Sequence, residues 1–127
     1  MRNPGASTVR FLLVFLFCAV PHVQAPAASA AEAQRIEALI RAVEALRDAK
    51  FIRNGAPYDA KAAADHLRLK LREAASRVKT AEDFIRFCAS RSSVSGQPYQ
   101  IRFADGTLVT SEAFFRAKLK ELDERGK

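Results

Sequence analysis

The chain has 127 residues, 21 Lys and Arg against 14 Asp and Glu for a formal net charge of +7, and 49% hydrophobic residues. That length supports one small core rather than several domains. The charges are interspersed, with no block of like sign, which excludes a polyelectrolyte tail and leaves a solvated surface of modest positive potential.

The amino terminus carries Arg2 and Arg10, then the unbroken run FLLVFLFCAV from Phe11 to Val20, then Pro21 and an alanine-rich stretch. This is the pattern of a secretory signal peptide. A bilayer-spanning helix takes roughly 20 apolar residues, so this run is too short for a permanent anchor. The best cut follows Ala28-Ser29-Ala30, which makes residues 1–30 a cleaved leader and 31–127 a single exported domain of 97 residues. Cys18 follows Phe15-Leu16-Phe17 rather than the small residues of a lipoprotein signal, so no lipid anchor is expected. The expected location is the periplasm of a Gram-negative bacterium, or the medium otherwise.

Losing Arg2 and Arg10 leaves 19 basic against 14 acidic side chains, a net charge of +5. Nucleic acid is not expected where an exported protein works. An envelope protein, an anionic glycan or a lipid head group is the available partner. Only Cys88 survives processing, so no intramolecular disulfide is expected, and a lone cysteine on an apolar stripe reads as buried.

Along the exported chain, Ile36, Leu39, Ile40, Val43 and Leu46 recur three and four apart and predict an amphipathic helix from Ala31 to about Arg47. Phe51-Ile52-Arg53 is a short β-prone stretch running into Asn54-Gly55, a strong turn signal. Asp59 stands at the cap position of a second helix reaching to about Arg77, with Ala63, Leu67, Leu71, Ala74 and Val78 as its apolar stripe. Thr80 caps a third, short helix that buries Phe84, Ile85, Phe87 and Cys88 and stops near Ser90. After the serine-rich loop CASRSSVSGQPY, Tyr99 to Phe103 and Thr107 to Val109 form a hairpin about Asp105-Gly106. Thr110 or Ser111 caps the last helix, with Phe115, Leu119 and Leu122 on one face, and either Phe114 or Phe115 is a candidate exposed anchor. The fold class is α+β, mainly helical, with about four helices, a short strand and a β-hairpin in the C-terminal half. Phe51 to Arg53 is expected to pair with an edge of that hairpin.

The segments FIRNG, AAADHLRLKL, RVKTAEDFI and CASRSSVSGQPY, in this order and spacing, resemble a family of small exported bacterial proteins, the YfeK-like group or domain of unknown function 5329. The resemblance runs from Ile36 to about Leu122. It implies an exported location and a shared fold, and it brings no catalytic residue, cofactor or substrate. It also implies that a cysteine at position 88 is not required.

Two constellations carry possible chemistry. Ser92, Ser93 and Ser95 place hydroxyls and backbone N–H groups after a helix end, which suits an anion, although no phosphate-loop motif is present and turn-forming composition alone explains such a loop. Arg53, Asn54, His66, Arg68 and Lys70 form the second set, and Tyr99 at the start of the next strand is a further candidate binding residue. His66 and Lys70 lie one helical turn apart beside the apolar stripe, and a turn at Asn54 folding over them would create a basic pocket for a carboxylate or phosphate. A Cys88–His66 thiolate pair lacks any feature that brings the two together, and Ser76 with Lys79 matches a serine–lysine pair only in letters. One His and one Cys cannot build a zinc site, and no carboxylate cluster has calcium-loop spacing, so neither metal nor cofactor is expected. The reading is therefore a non-enzymatic binding or interaction module of the cell envelope that recognises an anionic group or a protein partner. Its alternatives are a small envelope hydrolase or transferase using Ser93 or Cys88, and a partner strand added along Thr107 to Val109.

Overall fold

The computed structural model describes residues 28–127, so the leader assigned to residues 1–30 lies almost wholly outside the described residues. Helix α1 spans Ala30–Glu44, and the Ser29 hydroxyl caps it by accepting from the Glu32 N–H at 3.3 Å. Its buried face is Ile36, Leu39, Ile40 and Val43, the spacing that the sequence predicts. One tertiary bond reinforces the start: the Glu32 carboxylate accepts from the Ala81 N–H at 2.7 Å, closing an orphan donor at the head of another helix.

Strand β1, Lys50–Arg53, turns back through Asn54 and Gly55, whose φ angles of 51° and 78° are both left-handed, into strand β2, Ala56–Tyr58. Two successive positive φ values define the tight hairpin turn that Asn-Gly favours. The sequence reading foresaw the reversal and not the returning strand. Pro57 lies in that strand opposite Ile52, and β2 is the outer strand of a four-stranded antiparallel sheet of order β2-β1-β3-β4. An edge position is where a residue without an N–H is tolerated.

Helix α2 is Ala60–Glu73, capped by Asp59, whose carboxylate accepts from the Ala62 N–H at 2.8 Å. It ends one turn before Arg77. Its buried residues are Ala64, Leu67 and Lys70, whereas Ala63 and Leu71 are only partly covered, so the helix is rotated from the expected stripe and carries a lysine inward. Helix α3, Ala81–Phe84, opens with a reciprocal Thr80–Asp83 capping box and runs into a π-helical turn, Ile85–Ala89, closed by the Ser90 hydroxyl donating to the Ile85 carbonyl at 2.6 Å. The wider turn keeps Phe84, Ile85, Cys88 and Ala89 all fully buried. Phe87, expected on that face, is partly exposed.

Strands β3, Gln100–Arg102, and β4, Leu108–Thr110, form the second hairpin, and β3 pairs with β1 in the register Phe51 opposite Ile101. Thr110 caps helix α4, Ser111–Arg125. Phe114 and Phe115 are both buried, the latter packed edge-on against Phe84 with ring centres 5.9 Å apart, so neither is an exposed anchor. Helix α1 is central and packs on α2, α3 and α4, while α2 also crosses β1. The fold is α+β with mainly helical content. No helix among the described residues is long and apolar enough to cross a membrane.

Candidate functional site

The inward rotation of α2 assembles the site. Lys70 is 7% exposed, and its ammonium donates to the Arg91 carbonyl at 2.9 Å and to the Tyr99 hydroxyl at 3.1 Å. One turn earlier, His66 Nε2 lies 3.3 Å from the same hydroxyl. From the end of β1, Arg53 Nη1 reaches His66, 2.9 Å from Nδ1 and 3.0 Å from Nε2, and Nη2 donates to the Tyr58 hydroxyl at 3.4 Å. Its guanidinium lies 5.0 Å from the centre of the Tyr58 ring.

The electrostatics of this set follow from its composition. A guanidinium only donates, so the imidazole beside it serves as acceptor and is neutral. Burial, then the Arg53 and Lys70 charges, hold His66 below its ordinary pKa. Burial likewise lowers Lys70, with Arg53 adding to the effect, and burial raises the Tyr99 hydroxyl. Among the described residues, neither Arg53 nor Lys70 forms an ion pair with a carboxylate. By contrast, Arg68 lies 3.1 Å from Glu37 and 3.0 Å from Glu44 on the outer surface.

Beside this network is a cavity of about 210 Å³ between α2 and the sheet. Phe51, Ala63 and Leu67 supply apolar walls, and Arg53, His66 and Tyr99 reach it as polar groups. Lys70 is not in the wall and touches the cavity only through Tyr99.

The serine loop braces this arrangement from outside. Ser92 is buried, and its hydroxyl accepts from the N–H groups of Val94 and Ser95, each at 3.3 Å, and from the Asn54 amide at 3.4 Å. The Ser95 hydroxyl donates to the Asn54 side-chain carbonyl and accepts from the Gln97 N–H. Asn54 thus clasps the β1–β2 turn to the loop. Ser93 is exposed and lies outside both networks. The two sequence-predicted sets are therefore neighbours with different tasks: Arg53, His66, Lys70 and Tyr99 converge on one network, while Asn54, Ser92 and Ser95 hold the turn that carries Arg53.

Cys88 is fully buried, and burial raises its thiol pKa. The side-chain partners of His66 are Arg53 and Tyr99, not Cys88. Sequence reasoning missed Tyr58 and Phe51 as cavity residues. The signal was present, because a two-residue turn at Asn54-Gly55 places Tyr58 directly opposite Phe51.

The fold and site define a small α+β domain with a cationic, tyrosine-lined cleft between one helix and a sheet edge. Residues 30–123 match the model of the Family of unknown function (DUF5329), and the chain belongs to that family. It is 44% identical over 71 residues to the Uncharacterized protein YfeK of Salmonella typhimurium strain LT2, a stretch covering 56% of this chain and 59% of that protein. No solved structure matches the chain.

Proposed function

We propose that this protein is an exported envelope binding module whose cleft between α2 and the β1–β2 hairpin receives an anionic group. The observation that carries this reading is the convergence of two cations, one buried and one half-buried, neither in a direct ion pair among the described residues, with Glu73 acting on Lys70 only from beyond contact. Withdrawing a charge from water without a counter-charge is unfavourable, and a bound anion would offset it. The donors are also arranged for one. Arg53 spends its Nη groups on a neutral ring and a neutral hydroxyl, both weaker acceptors than a carboxylate or phosphate oxygen. The basic surface left after processing would favour approach of an anionic envelope component. Chemistry at Cys88 has no such support, because the thiol is sealed in the core.

The test is an NMR titration of the isotopically labelled protein with acetate and with inorganic phosphate. Saturable shifts should centre on Arg53, His66 and Tyr99 and vanish in Arg53→Gln. Shifts from neither anion, or shifts that persist in Arg53→Gln, would end the proposal.

A further inference from the structure

The cavity's size and the number of charges facing it narrow the anion further. An apolar cavity of about 150 Å³ accommodates benzene. The cleft has about 210 Å³, room for one such ring and a small polar head. Its walls suit an apolar body: α2 contributes Ala62, Ala63 and Leu67 along one side, and the sheet side contributes the rings of Phe51 and Tyr58. The space between these two walls is the slot that an apolar ring would enter.

The charge count is equally restrictive. Arg53 is the permanent cation that lines the cavity, His66 is neutral beside it, and Lys70 stands behind Tyr99. One negative charge is matched there. A dianionic phosphate would bring a second charge for which the lining holds no second cation. The planar guanidinium also fits a planar carboxylate in a two-pronged bond once it releases His66 and Tyr58.

We infer that the cleft takes a small monocarboxylic acid with a single flat apolar ring, of the size of benzoate, its carboxylate on Arg53 and its ring between α2 and Phe51. This rests on the anion-binding reading above. The discriminating experiment is calorimetric titration of the purified protein with benzoate, benzyl alcohol and inorganic phosphate. Benzoate should bind saturably, with benzyl alcohol and phosphate each at least about tenfold weaker, because each lacks one of the two matched features. Arg53→Gln and, separately, the slot-filling Ala63→Leu should each weaken benzoate at least about tenfold. Circular dichroism of both variants guards against misfolding, and Arg53→Lys, which keeps the charge without the fork, should lie between wild type and Arg53→Gln. Phosphate binding that depends on Arg53, with benzoate silent, would overturn the ring acid and leave the anion site standing. Binding of neither ligand in an Arg53-dependent way would remove both. Benzoate binding indifferent to Ala63→Leu would overturn its placement in the slot.

Discussion

The two sides of α1 are built on opposite principles. Towards α3 and α4, Leu39, Ile40, Phe84, Ile85 and Phe115 close a dry interior with none exposed, and the charges stay outside in pairs such as Arg116 with Glu82. Towards α2 and the sheet, a lysine is buried, an arginine is half-buried against a histidine, and a cavity is left open beside them. The first side is packed as a core requires. The second departs from that rule in three ways at one place, and such departures concentrate at functional sites. The difference separates residues that hold the fold from residues that the fold holds.

Substitutions on each side sharpen the contrast. Phe84→Ala should have the largest effect, a loss of about 3–5 kcal/mol in urea unfolding, because its ring is fully enclosed and packs edge-on against Phe115. A loss below about 1 kcal/mol would mean that the α3–α4 side is not the stabilising core. On the other side the expected signature is a pH dependence. His66 has its pKa lowered in the folded state, so as pH falls the unfolded chain takes up this proton first. The contribution of His66 to stability is therefore complete above its ordinary pKa of about 6.5 and declines as pH falls through that value towards the folded one. Urea melts between about pH 7 and pH 5 should show this slope in the wild type and a flatter one in His66→Gln. The lowered carboxyls of Asp83 and Asp105 titrate further down and do not overlap this window. Equal slopes would place His66 outside the cationic network. The smallest effect is expected for Lys70→Met. It removes two hydrogen bonds together with a buried charge, and these oppose each other to leave stability within about 1 kcal/mol of wild type. A loss as large as that of Phe84→Ala would erase the distinction between the two sides.

Most of the framework was legible in the residues because it is local. Asp59, Thr80 and Thr110 each cap the helix that follows, and Asn54-Gly55 and Asp105-Gly106 each reverse the chain. Hydrophobic spacing gave the buried face of α1. What escaped depends on distant partners. Pro57 reads against a strand until β1 is seen pairing with β2 on one side and β3 on the other, leaving Pro57 at the edge. Lys70 reads as a surface lysine until the Arg91 carbonyl and Tyr99 hydroxyl are in place to receive it. His66, Lys70 and Arg53 could be grouped from their spacing and a folded-over turn, but Tyr99 arrives from 29 residues beyond Lys70, and only the sheet brings it there. The tasks of Ser92 and Ser95 in holding Asn54 were likewise invisible, since turn-forming composition explains a self-capped loop and names no distant partner for it.

The π-helical turn from Ile85 to Ala89 works as a length gauge. Each residue of an α-helix advances the chain by about 100°, so deleting one residue here would restore ordinary winding and redirect the exit of everything that follows. Ser92 would swing away from Asn54, and the arginine-bearing turn would lose its clasp although none of its own atoms had changed. Aim at this edge of the molecule is therefore written in a residue count, inside a segment that lines no part of the cleft.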